Sequence, residues 1–415
     1  MEDVYIIGVG MTPFGRHLDK SLKQLVAWAL NDALSDAGID KSEIQAAFFG
    51  NAVQGFMEGQ TCIRGQVALL PEGLHGIPVF NVENACATAS SAFNLAVNHL
   101  RAGAGEVALA IGAEKMYDED KAKMFAIFDS GWDIHTPKEN ADRLIALGQG
   151  VDPPPGSMSD RPYSVFMDVY AALGRQLMRL HDITQEQMAL VAAKNHTHAV
   201  DNERAQYRKS MTTDEVLAGR AISYPLTLPM CAPISDGAAA AIICTGAALK
   251  RLGVQASRAV KVRASVIRSA TARGGDDLEN HITRLTAKAA YEQAGVAPED
   301  VDVVEVHDAT AIGELIQSAN LGLCELGASG RFAQSGATTL GGRVPINPSG
   351  GLESKGHPIG ATGIGQIFEL VAQLRGEAGS RQVKNARIAV QENGGGLWGF
   401  EEAVAHIAVF ERGAA

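Results

Sequence analysis

Apolar residues along the chain alternate between two rhythms. The run Val4–Val9 is almost continuously apolar, ends in Gly8-Val9-Gly10 and predicts a buried strand. Ser21–Gly38 carries apolar residues at helical spacing, opens on a serine and stops at a glycine, which predicts an amphipathic helix. Ala46–Gly50 predicts another short strand. The same order returns later, with a helix at Ile282–Gly295 and a strand at Val301–Val306. Ala33-Leu-Ser-Asp-Ala-Gly-Ile-Asp-Lys-Ser-Glu-Ile matches Ala290-Tyr-Glu-Gln-Ala-Gly-Val-Ala-Pro-Glu-Asp-Val position by position in character.

A second pair follows. Asn84–Leu100 predicts a helix opening at a turn that contains a cysteine, and Gly356–Leu374 one opening at a turn that contains a histidine. Each precedes a strand, Val107–Ile111 and Ala386–Val390. A helix–strand order repeated twice predicts two similar α/β halves, each built on a covered, mostly parallel sheet. Between Tyr117 and Met230 the alternation gives way to polar, Pro- and Met-rich sequence such as Pro153-Pro-Pro-Gly, read as helices and loops. The expected organisation is an N-terminal half at 1–120 plus 230–252, an insert at 121–229 and a C-terminal half at 253–415. The insert reads either as a lid or binding subdomain or as a structural excursion.

Composition narrows the field. The 415 residues are 46% hydrophobic and 20% charged, with 45 glycines, an ordinary globular balance rich in tight turns. A net charge of −11 speaks against a nucleic-acid partner, but it leaves room for an anionic ligand in a local basic groove. No apolar run is long enough for a membrane-spanning helix. The opening Met1-Glu-Asp is acidic where a signal peptide would be basic, so a cytoplasmic location is expected. The five cysteines, Cys62, Cys86, Cys231, Cys244 and Cys324, are odd in number and include no C-x-x-C pair. Neither a disulfide framework nor a metal site is expected within the chain.

Four segments carry candidate chemistry. Cys86 lies in Val82-Glu-Asn-Ala-Cys-Ala-Thr-Ala-Ser-Ser-Ala, ahead of a helix of small residues. A cysteine at a helix start feels the positive end of the helix dipole, and free N–H groups there can hold an oxyanion; a buried structural cysteine is the alternative. His357 lies in Gly350-Gly-Leu-Glu-Ser-Lys-Gly-His-Pro-Ile-Gly-Ala-Thr-Gly, whose glycines allow a tight loop. A twofold relation between the halves would bring the two helix starts together, with a neutral imidazole beside a thiol. His307 and Asp308 follow a strand directly, where open α/β sheets place functional groups, and a structural role is the alternative. Gln391-Glu-Asn-Gly-Gly-Gly exposes backbone N–H groups but lacks a P-loop lysine.

Asn84-Ala-Cys-Ala-Thr-Ala-Ser-Ser-Ala, Val306-His-Asp-Ala-Thr, Gly351-Leu-Glu-Ser-Lys-Gly-His-Pro-Ile-Gly-Ala-Thr-Gly and Asn393-Gly-Gly-Gly fall in the order of the thiolase superfamily, which the chain resembles over nearly its full length. The motifs look most like those of sterol-carrier-protein-type and archaeal-type thiolases. The resemblance implies a duplicated α/β fold of five layers (αβαβα), with the insert as a coenzyme A loop domain. It implies acylation of Cys86, activation by His357, one oxyanion hole from His357 with a water on His307, and another from the backbone N–H groups of Cys86 and Gly395. It implies coenzyme A as cosubstrate and a homodimer or dimer of dimers.

The second cysteine that most thiolases use as acid/base is missing: Asn393 and Ala309 stand at its two usual places. Glu392, Tyr117, Tyr163 and a bound water are substitutes with suitable chemistry. Relatives of this kind resemble thiolases for branched or aromatic ketoacyl-CoAs, such as the benzoylsuccinyl-CoA type, and retro-aldolases acting on steroid side chains. Both resemble systems with a small OB-fold/zinc-ribbon partner protein. Three functions stay open: a thiolase of a bulky 3-ketoacyl-CoA, a retro-aldol lyase of a 3-hydroxyacyl-CoA, and a non-catalytic acyl-CoA-binding subunit. Ser235, Met158, Tyr163, Phe166, Met167 and Arg208, the last beside Arg204 and Lys209, are candidates for substrate or coenzyme A contacts.

Overall fold

The computed structural model describes residues 2–413; Met1 and residues 414–415, assigned above to the two halves, lie outside them. Eleven strands are described: β1 Val4–Met11, β2 Ala46–Gly50, β3 Val79–Val82, β4 Val107–Glu114, β5 Ala221–Ser223, β6 Leu226–Thr227, β7 Gly237–Thr245, β8 Val260–Ser269, β9 Val303–Glu305, β10 Ile388–Trp398 and β11 Glu401–Glu411. β5 and β6 form a small hairpin in the insert, and the other nine run in the order β3-β2-β4-β7-β1-β8-β11-β10-β9.

The duplication is visible in this order. β1 and β8 meet through a short antiparallel pairing of Tyr5 with Lys261 and Ile6 with Val260. Outward from that junction the strands run β7, β4, β2, β3 on one side and β11, β10, β9 on the other. Ile346 bridges in parallel onto Val304, at the position that β3 holds in the first half. Parallel pairing is confined to the outer strands, β4–β2–β3 and β10–β9. The strand that closes each half, β7 or β11, runs back into its middle and makes the inner pairs antiparallel.

Two helices form the central layer. Thr88–Arg101, here the cysteine helix, and Thr362–Arg375, the histidine helix, are buried between the half-sheets. Their Phe93, Val97, Leu100, Ile364, Ile367 and Leu370 share one core with β-strand residues of both halves. Phe93 packs edge-on to Phe410 with ring centroids 5.9 Å apart, and losing such a ring to alanine costs about 3–5 kcal/mol. Leu22–Ala37 and Ile282–Ala294 cover the outer faces of the first and second half, completing five layers. Ser21 and Gln24 cap the first of these reciprocally, and Gly38 and Gly295 end them at φ 66° and 65°, in the left-handed region that favours glycine. Gly10 admits the first helix to β1: a Cβ there would lie 2.2 Å from the Ala29 carbonyl oxygen.

The insert is mostly helical. Phe166–His181 and Gln185–His198 pack against Ala311–Asn320 of the second half through Ala171, Leu177, Met188, Val191, Ile312 and Leu315. This docking holds the insert over the carboxyl ends of β3 and β9, where the Cys86 turn and His307 lie.

Candidate active site

Cys86 sits in a single 3-10 turn, Ala85–Ala87, between β3 and the cysteine helix. The helix therefore starts later than the sequence pattern predicts. Ala85 is held at φ 48°, a conformation that costs a non-glycine residue on the order of 1 kcal/mol. Side-chain bonds fix the turn: Asn84 N donates to Thr88 Oγ1 at 2.9 Å, Asn84 Nδ2 to Ser91 Oγ at 2.8 Å and Ala85 N to Glu83 Oε1 at 2.6 Å.

His357 likewise precedes its helix. Gly356 has φ 110°, and a Cβ there would lie 2.7 Å from Ser235 Oγ. That hydroxyl accepts from His357 N at 3.0 Å. Thr362 Oγ1 donates to the Pro358 carbonyl at 3.0 Å and lies 2.7 Å from His357 Nδ1. Its one proton being committed, the hydroxyl accepts from Nδ1–H; the hydrogen-bond network thereby assigns the tautomer and leaves Nε2 with its lone pair.

His307 follows β9, and its N–H donates to Glu392 Oε2 at 2.8 Å. Its Nε2 is buried with no partner among the described residues. The His307 and His357 rings meet edge to face with centroids 5.2 Å apart. Cys86 Sγ and one nitrogen of each ring lie within 4.8 Å of one another. A cation could fit that spacing, but it would occupy the lone pairs that nucleophilic chemistry needs; the trio is read as a nucleophile with its base.

Burial sets the charge states. It pushes the Cys86 thiol up to about 12, with help from the Glu83 charge, against the opposing pull of the backbone N–H groups of Cys86 and Gly396. The helix-start argument for a resting thiolate is thus outweighed by desolvation. Burial likewise pushes His307 down to about 4, and holds His357 well below the usual imidazole range with help from His307 and Lys355. The resting pair is a neutral thiol beside a neutral imidazole.

The trio lines a pocket together with Gly395, Gly396 and Glu402, under a roof from the insert that includes Phe128, Phe166, Met167 and Tyr170.

Family comparison gives this geometry a context. A model of the thiolase N-terminal domain matches residues 4–216, and one of the thiolase C-terminal domain-like family matches residues 265–408. The chain belongs to the thiolase family. It is 35% identical over 406 residues to an acetyl-CoA acetyltransferase of Methanothermobacter thermautotrophicus, an alignment covering 96% of this chain and 98% of that one. It is 34% identical over 398 residues to the benzoylsuccinyl-CoA thiolase subunit BbsB of Thauera aromatica, covering 95% and 94%. Among solved structures, the Ltp2-ChsH2(DUF35) aldolase superposes with a TM-score of 0.75 at 20% identity over 98% of this chain and 97% of that one, a likeness of fold.

Within this thiolase fold, the sequence candidates divide. Cys86, His307, His357, Gly395, Phe166 and Met167 line the pocket, as does Ala309. Ser235 acts from behind by holding the His357 backbone. Glu392 is wholly buried behind His307. Asn393 faces the other side of β10, where its Oδ1 accepts from Ser90 at 2.7 Å, so it is held away from the pocket. Tyr163 bonds Asp168 at 3.0 Å, and the Tyr117 ring lies under the Arg16 guanidinium; neither lines the pocket. Met158 is exposed, and the exposed Arg208 bonds the Val200 carbonyl, both outside the pocket wall. Sequence reasoning missed Thr362, Tyr170, Gly396 and Glu402. Thr362 stood in the quoted glycine–histidine motif, and Tyr170 stands one helical turn after Phe166. Glu402 reaches the pocket only through the β10–β11 hairpin.

Proposed function

We propose that this chain cleaves or forms the carbon–carbon bond of a 3-ketoacyl-CoA through an acyl-Cys86 intermediate. The observation that carries this is Cys86 Sγ within 4.8 Å of ring nitrogens of His307 and His357, at the wall of a roofed pocket. In the cleaving direction the Cys86 thiol gives its proton to His357 Nε2 as sulfur attacks the keto carbon. Backbone N–H groups at Cys86 and the glycine turn of β10 stabilise the resulting oxyanion, at about 3–4 kcal/mol per donor. The C2–C3 bond breaks to an enolate facing His307 and His357, and coenzyme A then takes the acyl group from Cys86.

A bulky, branched or aromatic acyl group fits this reading. The pocket is roofed by Phe128, Phe166 and Tyr170, and a relative 34% identical is a benzoylsuccinyl-CoA thiolase subunit. The insert at 121–229 serves as the coenzyme A loop domain, between halves at 1–120 plus 230–252 and 253–415. The chain works as a homodimer or dimer of dimers. The edge strand β3 supports this, with a half-exposed Phe80 stacked on Phe48 at 4.9 Å. A small partner protein of the OB-fold/zinc-ribbon kind completes the assembly; the pairing in Ltp2-ChsH2(DUF35) supports that part.

Mass spectrometry after incubation with acetoacetyl-CoA or a bulky ketoacyl-CoA tests the reading. An acyl mass gain that disappears in Cys86→Ala is expected. Cleavage of a 3-hydroxyacyl-CoA without an adduct would make the chain a lyase, and binding with neither would make it a non-catalytic subunit.

A further inference from the structure

Thiolase chemistry needs a group that protonates the C2 carbanion and later takes the proton from incoming coenzyme A, and neither usual cysteine is present: the two places hold Ala309 and Asn393. Ala309 has no proton to move, and Asn393 points away toward Ser90. Glu392 has the chemistry, but it is sealed behind the His307 backbone with no face on the pocket.

Two carboxyls line the pocket: Glu83, whose Oε1 is held by Ala85 N at 2.6 Å within the cysteine turn, and Glu402. Glu402 is the second residue of β11, where it pairs with Leu397 across the hairpin. Gly394 leaves room for its stem, since a Cβ at that glycine would lie 2.8 Å from Glu402 Cγ. The side chain is anchored at one oxygen only: Gln317 Nε2 donates to Oε1 at 2.9 Å. The other, Oε2, is buried with no hydrogen-bond partner among the described residues; His281 Nε2 lies 3.5 Å away, on an imidazole that burial holds below its ordinary range. In its ionised form Glu402 raises the proton affinity of His307 and of the Tyr170 hydroxyl, both in the pocket wall. Tyr170, Leu397 and Glu402 line both this pocket and a second cavity whose wall mixes leucines with His281, Arg273 and Glu401.

We propose that Glu402 is the acid/base of this active site, carrying the proton between C2 of the substrate and the sulfur of coenzyme A. This rests on the acyl-Cys86 reading above. As the C2–C3 bond breaks, its electron pair passes to C2, and the Glu402 carboxyl gives C2 its proton and becomes carboxylate. In the second half, the carboxylate takes the proton of the coenzyme A thiol as that sulfur attacks the acyl carbon. Cys86 leaves as thiolate and recovers its own proton from His357. Bonds and protons balance over the cycle with no further reactant.

Glu402→Gln separates this role from a structural one. The amide keeps an oxygen for Gln317 and the shape of the side chain, but it cannot carry the proton. Three readouts are compared between wild type and variant: the Cys86 adduct with acetoacetyl-CoA, thiolysis, and exchange of the acetyl-CoA methyl protons into D₂O followed by NMR. Wild type should form the adduct and exchange; Glu402→Gln should lose exchange and thiolysis by at least about 100-fold with an unchanged melting temperature. Glu402→Asp, which keeps a carboxyl, should recover part of both and shift the pH–rate profile, and it serves as the test if the glutamine variant is unstable. A Glu402→Gln enzyme within about threefold of wild type in exchange and thiolysis would overturn the assignment, as would loss confined to Glu392→Gln. A wild type with no adduct would instead remove the acyl-Cys86 reading itself.

Discussion

His357 is tied to Thr362 by a 2.7 Å bond from Nδ1 to Oγ1, and Thr362 spends its own proton on the Pro358 carbonyl at 3.0 Å. The histidine and the first residue of its helix thus set each other's hydrogen-bond direction, which leaves the lone pair on Nε2 of a ring that has one nitrogen within 4.8 Å of Cys86 Sγ. Thr362→Val keeps the shape and removes the acceptor, so the ring is free to adopt the other tautomer or to turn. Thiolysis should fall about 10- to 100-fold, the equivalent of about 1–3 kcal/mol, while Thr362→Ser stays near wild type. Steady-state rates beside thermal unfolding curves decide it. An unimpaired valine variant would show that the tautomer is set elsewhere.

The neutral pairing of Cys86 and His357 predicts a particular response to pH. Burial first, and the Glu83 charge second, push the thiol up to about 12, so thiolate is scarce at neutral pH. Alkylation of Cys86 by iodoacetamide in the free enzyme should rise about tenfold per pH unit across the mildly alkaline range, with no plateau. Glu83→Gln removes a like charge and should speed labelling. Peptide-resolved mass spectrometry gives both rates. A flat, fast rate from neutral pH upward would mean a resting thiolate–imidazolium pair and would contradict the burial argument.

How much of this was legible in the sequence depends on whether each feature is local. The Ser21 cap, the Gly38 and Gly295 stops and the two matched segments encode local geometry, and the helices appear within a residue or two of their predicted limits. The cysteine and histidine helices begin later than predicted, because the active-site turns use a residue at positive φ and a glycine–proline bend where periodicity alone continues the helix. The mixed sheet was not legible, since strand direction is set by where β7 and β11 insert between partners far away in sequence. Glu402 was hidden for the same reason: only the β10–β11 register carries it to the pocket. The thiolate expectation failed because a sequence motif displays the helix start but not the desolvation around it.

The buried pair behind the active site gives the last test. Lys355 Nζ lies 3.0 Å from Glu305 Oε2, with the two side chains only 1% and 0% exposed, and Ser349 donates to Glu305 through both its N–H and its hydroxyl. Lys355→Met leaves a buried carboxylate without its cation, which should cost about 3–5 kcal/mol in chemical denaturation. Adding Glu305→Gln removes the orphaned charge, so the double variant should be more stable than Lys355→Met alone; additive losses would mean that the pair is not coupled. Lys355 also acts on chemistry, because its positive charge opposes formation of the His357 imidazolium. Without that charge the imidazole takes up a proton more readily, at higher pH than in wild type. Since protonated His357 cannot accept the Cys86 proton, the acid limb of the thiolysis profile should move toward higher pH in both Lys355 variants. A limb that stays in place while stability falls would assign Lys355 to the fold alone.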